Sequence, residues 1–154
     1  MIETMVVATD GSASVQRAVD VALDVASRFD ASVHALYVVD TGDIESSPEE
    51  VRSELRNGLT ERGEEAVAQV AEEAPANVPV TAAVEEGRPA PAIISYAREV
   101  GADAIASGTR GRHGENRFLL GSVAEEVVRT APMPVLTVRQ LAGPESEEAA
   151  ASEA

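Results

Sequence analysis

The sequence predicts an α/β protein: a single domain with one five-stranded parallel sheet flanked by four helices. Three observations predict it. Five short apolar, β-rich runs alternate along the chain with stretches of helical periodicity. Each run is joined to the next by a segment long enough for a crossover, the connection that parallel strands require. The 154 residues suffice for one hydrophobic core and are too few for two ordinary domains. Such sheets bind ligands outside the carboxyl ends of their strands, where the strand order reverses. The strand ends at Asp10, at Val38 to Asp40 and at Gly108 are therefore expected to converge on one crevice.

Residues 2–9, Ile-Glu-Thr-Met-Val-Val-Ala-Thr, form the first strand, and Asp10-Gly11-Ser12 ends it in a turn. From Ser14 to Phe29 the apolar residues Val15, Ala18, Val19, Ala22, Leu23 and Ala26 share one helical face, with Ser12 or Ser14 placed to cap its start. Ser32 to Val39 reads as the second strand, ending in a turn at Asp40-Thr41-Gly42-Asp43. Pro48 opens an acidic helix running to residue 73, with Val51, Leu55, Leu59, Val67 and Val70 at roughly helical spacing and a weak middle at Gly58 and Gly63. Val78 to Val84 alternates as a third strand, and Gly87-Arg88-Pro89 turns the chain into a helix carrying Ile93, Ile94, Ala97 and Val100, which stops at Gly101. Asp103 to Ser107 is the fourth strand. A helix lined by Val123, Ala124, Val127 and Val128 begins near Gly121-Ser122, and Pro134 to Arg139 is the fifth strand. We take residues 1–140 as the domain and 141–154 as a disordered acidic tail with nothing to bury.

Composition excludes several functions. Acidic residues number 27 against 12 basic, a formal net charge of -15, which disfavours a broad nucleic-acid footprint. The absence of Cys removes thiolate catalysis, thiolate metal sites and disulfides. All twelve basic residues are Arg, so neither a Walker-type phosphate loop nor Schiff-base chemistry is available. No Gly-x-Gly-x-x-Gly fingerprint follows the first strand and no Gly-x-Ser-x-Gly elbow is present, which argues against dinucleotide dehydrogenases and α/β-hydrolases. His34 and His113 have no ligand spacing, so no dedicated metal site is expected. The apolar run Met5 to Ala8 is far too short for a membrane span, which points to a cytoplasmic protein. The acidic excess with few aromatics suggests a halophilic source, where salt screens self-repulsion.

The chemistry concentrates after the fourth strand. Gly108-Thr109-Arg110-Gly111 leaves the sheet, a loop from Arg112 follows, and Gly121-Ser122 opens a helix. Glycines there let backbone amides approach an anion in positive-φ conformations that other residues resist. The helix start adds free amides and a positive dipole end, and the Ser122 hydroxyl one more donor. Arg110, Arg112 and Arg117 form a basic island on an acidic chain. The plainer alternative is a long loop turned by Gly and solvated by Arg.

The spacing Gly108-x2-Gly111-x9-Gly121-Ser122, with Asp10-Gly11-Ser12 after strand one and Tyr37-Val-Val-Asp40 at strand two, resembles the ATP-binding branch of the universal stress protein family. The resemblance covers roughly residues 2–139. It implies a Rossmann-like sheet of order 3-2-1-4-5, of the adenine nucleotide alpha hydrolase-like kind. It implies that Asp10 contacts the ribose side of a nucleotide, that the Val38 backbone recognises adenine, and that Gly108, Gly111, Gly121 and Ser122 hold phosphates. Thr9, Thr109 and Val123 are neighbours of that site, and Arg110 or Arg112 would act electrostatically. ATP, with Mg2+ accompanying it, is the implied cofactor, and a homodimer through residues 134–139 the implied assembly. The function implied is nucleotide-dependent stress-response regulation with slow hydrolysis at most, since no base is assigned. The alternative is a dimeric, chaperone-like interaction module that binds no nucleotide.

Overall fold

The computed structural model describes residues 1–110 and 120–141. Five strands, β1 (Thr4–Ala8), β2 (Ser32–Asp40), β3 (Val80–Gly87), β4 (Ala104–Gly108) and β5 (Val135–Val138), pair in parallel in the order β3-β2-β1-β4-β5. The helices are α1 (Gln16–Phe29), α2 (Thr41–Glu45), α3 (Arg52–Glu73), α4 (Pro89–Glu99) and α5 (Ser122–Thr130). The chain winds outward from β1 through β2 to β3, then returns to β4 and β5 on the other side of β1.

The period-two alternation of the strands divides the core into two layers. Met5, Val7, Val33, Ala35, Tyr37 and Val39 face α1 and α3, meeting Val19, Leu23, Val67 and Val70. Val6, Leu36 and Ile105 point to the other face, against Ile93, Tyr96 and Ala97 of α4 and Val127 of α5. On α1 the small residues Ala18, Ala22 and Ala26 are fully buried, which lets the helix backbone lie close to the sheet.

Local chemistry moved several expected boundaries. The predicted serine cap of α1 does not form. The chain enters through a short 3-10 turn at Ala13–Val15, and neither Ser12 nor Val15 caps through its side chain. The Asp10 carboxylate instead closes the turn before that entry, its Oδ1 accepting from the Ser12 amide at 2.9 Å and the Ser12 hydroxyl at 2.6 Å. The turn expected at 40–43 tightens into the short α2, a fifth helix, because Asp40 Oδ1 accepts the Gly42 amide at 2.9 Å and caps it. The helix from Pro48 begins with a 3-10 turn at Glu49–Val51 and continues unbroken as α3, with Gly63 buried rather than weak. At the far end of the sheet Asp103 Oδ2 accepts the amides of Glu3 and Thr4 at 2.9 and 3.0 Å, tying the start of β4 to β1. Those two backbone hydrogen bonds, Glu3's first, hold its carboxyl below the usual aspartate range.

His34, on the α4 side of β2, lies with Nδ1 2.8 Å from the Tyr96 hydroxyl, and the rings meet edge to face at 5.6 Å. Burial lowers the His34 pKa, so the fold favours the neutral ring. The unfolded chain then binds the proton more readily than the folded one, and stability falls as pH drops below the ordinary histidine value of about 6.5. Denaturant titrations at pH 7.5 and 5.5 should show lower stability at the acid pH. In His34→Gln that loss should shrink; an unchanged difference would exclude this residue as its source.

Candidate functional site

Beyond the carboxyl ends of the strands, beside the point where the strand order reverses at β1, lies an open cavity of about 200 Å³. Its inner wall is apolar: Ala8 and Leu36 with Val38 from the strand ends, Pro89 and Ile93 from α4, and Ala124 from α5. Asp10 after β1, Asp40 and Asp43 at and after the end of β2, and Arg110 after β4 line it as well. Gly108 ends β4 at the cavity, and Gly121, Ser122 and Val123 bring the start of α5 to it.

The exit of β4 and the entry of α5 are clasped together. The Gly121 amide donates to the Thr109 carbonyl at 2.6 Å, and the Thr109 amide donates to the Val138 carbonyl at 3.2 Å. Thr109 and Gly121, twelve positions apart in the chain, therefore meet. The first amides of α5 have no partner inside the helix, as at any helix start, and the positive end of the helix dipole faces the cavity wall they form. Asp10 and Thr9 are set by their own turn: Thr9 Oγ1 accepts the Gly11 amide at 3.1 Å, and the Thr9 amide donates to the Leu36 carbonyl at 2.9 Å. Asp10 Oδ1 is committed to Ser12, while Oδ2 makes no hydrogen bond among the described residues.

Of the residues singled out from the sequence, Thr9, Asp10, Val38, Gly108, Arg110, Gly121, Ser122 and Val123 all line this one cavity. Thr109 contributes through its backbone clasp. Gly111 and Arg112 fall outside the described residues, as do His113, Arg117 and the tail from residue 142. One reason given for the glycines changes. Among the described residues the positive-φ glycines are Gly11, Gly87 and Gly101, whereas Gly121 has φ -63° and ψ 159°, a conformation open to any residue. At Gly108 the requirement is space: a Cβ there would stand 3.3 Å from both the Ser14 and the Arg110 carbonyl oxygens.

Sequence reasoning missed Pro89 and Ile93 as parts of the wall, because an apolar wall residue carries the same periodicity as a core residue, and Ser107, because it reads simply as the last residue of the fourth strand. Among the described residues no group of three or more His, Asp or Glu is placed to hold a metal ion, and no helix is long and apolar enough to cross a membrane.

Comparison with known proteins gives a consistent set. The model of the universal stress protein family matches residues 1–139. The universal stress protein MJ0531 of Methanocaldococcus jannaschii is 39% identical over 142 residues, covering 91% of this chain and 84% of the relative. Among solved structures, the hypothetical protein MJ0577 superposes with a TM-score of 0.81 at 28% identity, over 93% of this chain and 99% of that one. A universal stress protein solved in complex with cAMP superposes with a TM-score of 0.60 at 27% identity, over 91% and 98% of the two chains.

Proposed function

This chain belongs to the universal stress protein family, and from that premise we propose that it binds ATP in the crevice at the strand ends and acts as a nucleotide-dependent stress-response regulator with little turnover. The observation that carries this reading is the clasp of Gly121 to Thr109, which brings Gly108 and the first amides of α5, unpaired among the described residues, to the wall of a cavity whose inner face is apolar. Apolar walls suit a base, and unpaired amides with a positive dipole end suit phosphate, so the two halves of a nucleotide have separate matching surfaces.

Charge orients the ligand. Asp10, Asp40 and Asp43 repel phosphate, so the triphosphate lies toward Gly108, Gly121, Ser122 and Arg110, and the nucleoside toward Val38 with the ribose near Asp10. Mg2+ would arrive on the phosphates with its own waters and need few protein ligands. Hydrolysis would need a positioned base beyond these binding groups, and Asp10 already turns one oxygen to Ser12. The complex of a relative with cAMP supports an adenine nucleotide as ligand. Calorimetric titration of the full chain with Mg-ATP should give saturable binding tighter than millimolar; no heat of binding in low or molar salt would defeat the proposal.

We further propose a homodimer through residues 134–139. β5 is an edge strand with an unpaired side, and Leu136 on it is exposed. Unpaired strand edges recruit another strand, most simply from a second copy. Light scattering at micromolar concentration should report twice the chain mass, and a monomer would refute this assembly.

A further inference from the structure

We propose that Ser107 is a specificity-determining residue of the crevice, its Oγ accepting a hydrogen bond from a donor on the nucleoside half of the ligand. The inference rests on the nucleotide reading above. Ser107 is 7% exposed, and it and Thr9 are the buried polar or charged residues among those described. Both line the cavity, but only Thr9 has its oxygen engaged as an acceptor, by the Gly11 amide.

Ser107 Oγ donates its one proton to the Gly108 carbonyl at 2.9 Å. A hydroxyl has two acceptor lone pairs besides its proton, and among the described residues nothing donates to them. The cavity wall that Ser107 shares with Ala8, Leu36, Ile93 and Ala124 is largely apolar. Along β4 the same face carries Ile105, wholly buried against α4, so packing alone would place an aliphatic side chain at 107. A buried oxygen with unmet acceptor capacity on a cavity wall is a place for a ligand donor.

Position narrows which donor. Ser107 immediately precedes Gly108, where the proposed phosphate cradle begins, and shares the inner wall with Val38 on the far side of β1. The part of a nucleotide lying between those points is its nucleoside, whose donors are the ribose hydroxyls and the exocyclic amine of adenine. Committing the Ser107 proton to Gly108 makes Oγ an acceptor, so it favours a ligand with such a donor over one lacking it.

The test measures affinities of the wild-type chain and Ser107→Ala for ATP, 2′-deoxy-ATP, 3′-deoxy-ATP and inosine triphosphate. Ser107→Ala should weaken ATP by about 3- to 10-fold, the effect of removing one neutral hydrogen bond. One of the three analogues should show a similar loss on the wild-type chain and no additional loss on the variant, which identifies the donor being read. Equal weakening of all four ligands by the variant would indicate a merely structural role and overturn the assignment. Wild-type affinities indifferent to all three deletions would overturn it too, even if the variant folds poorly. Should the wild-type chain bind none of them, the nucleotide reading itself fails, and this inference with it; tight ATP binding unaltered by Ser107→Ala refutes the inference alone.

Discussion

Gly63→Ala lowers the melting temperature of this protein, although alanine is the better helix former. A Cβ built at Gly63 stands 2.5 Å from Tyr37 Cδ1, 2.9 Å from Cγ and 3.1 Å from Cε1. Tyr37 is fully buried in β2 against α3 and has no room to retreat in a close-packed core. Helix propensity returns about 1 kcal/mol for losing a glycine. Overpacking a closed core costs about 1–3 kcal/mol and more when rigid atoms collide. We expect a net destabilisation of about 1–2 kcal/mol, or about 2–8 °C in a domain of this size. The control lies on the same helix: a Cβ at Gly58 meets nothing within 4 Å, so Gly58→Ala should stabilise by up to about 1 kcal/mol. Melting curves of both variants decide the matter, and equal shifts of the same sign would show that the Tyr37 contact does not govern position 63.

Gly121→Val will abolish most of the ATP affinity we propose, while leaving the fold intact. Its φ of -63° and ψ of 159° suit a β-branched residue, so the backbone carries no objection to valine. The new methyl groups would instead occupy the cavity wall beside the first amides of α5 and Ser122. A phosphate pushed away from there loses charge-assisted hydrogen bonds worth about 1.5–3 kcal/mol each. Loss of one of them corresponds to an affinity about 10- to 150-fold weaker, and loss of two to more than that. Gly108→Val is the harsher companion, because its Cβ already crowds two backbone carbonyls and stability should suffer with binding. Calorimetry with Mg-ATP, with a melting curve to verify folding, checks the expectation; a folded Gly121→Val chain that binds like the wild type would remove the cradle from the account.

The elements most legible in the sequence were those with strong periodicity or a firm stop. Helix α1 is amphipathic along its whole length and ends at Asp30, whose φ of 54° breaks the helical backbone. Strand β1 is a compact β-branched run buried on both faces, as a central parallel strand must be. Less legible was anything decided by a single side-chain hydrogen bond. Asp40 converts an expected turn into α2 by accepting the Gly42 amide, and Asp10 draws the Ser12 amide and hydroxyl into the turn before α1, which starts without a side-chain cap. Either residue fits turn and cap equally well in one dimension.

By itself the sequence determined the α/β class, the order in which strands and helices follow one another, and the cluster of glycines and arginines after the fourth strand. Those are properties of composition and local period, and they survive without knowledge of what packs against what. Only the tertiary structure decided that Gly63 is held by the Tyr37 ring rather than marking a weak helix, and that Gly108 is required for space and not for backbone angle. It alone put Ser107 with Val38 and Asp10 on one wall, from strands whose pairing partners are distant in the chain. Such relations depend on which atoms meet across the sheet, and close packing, unlike periodicity, leaves no trace along a single strand.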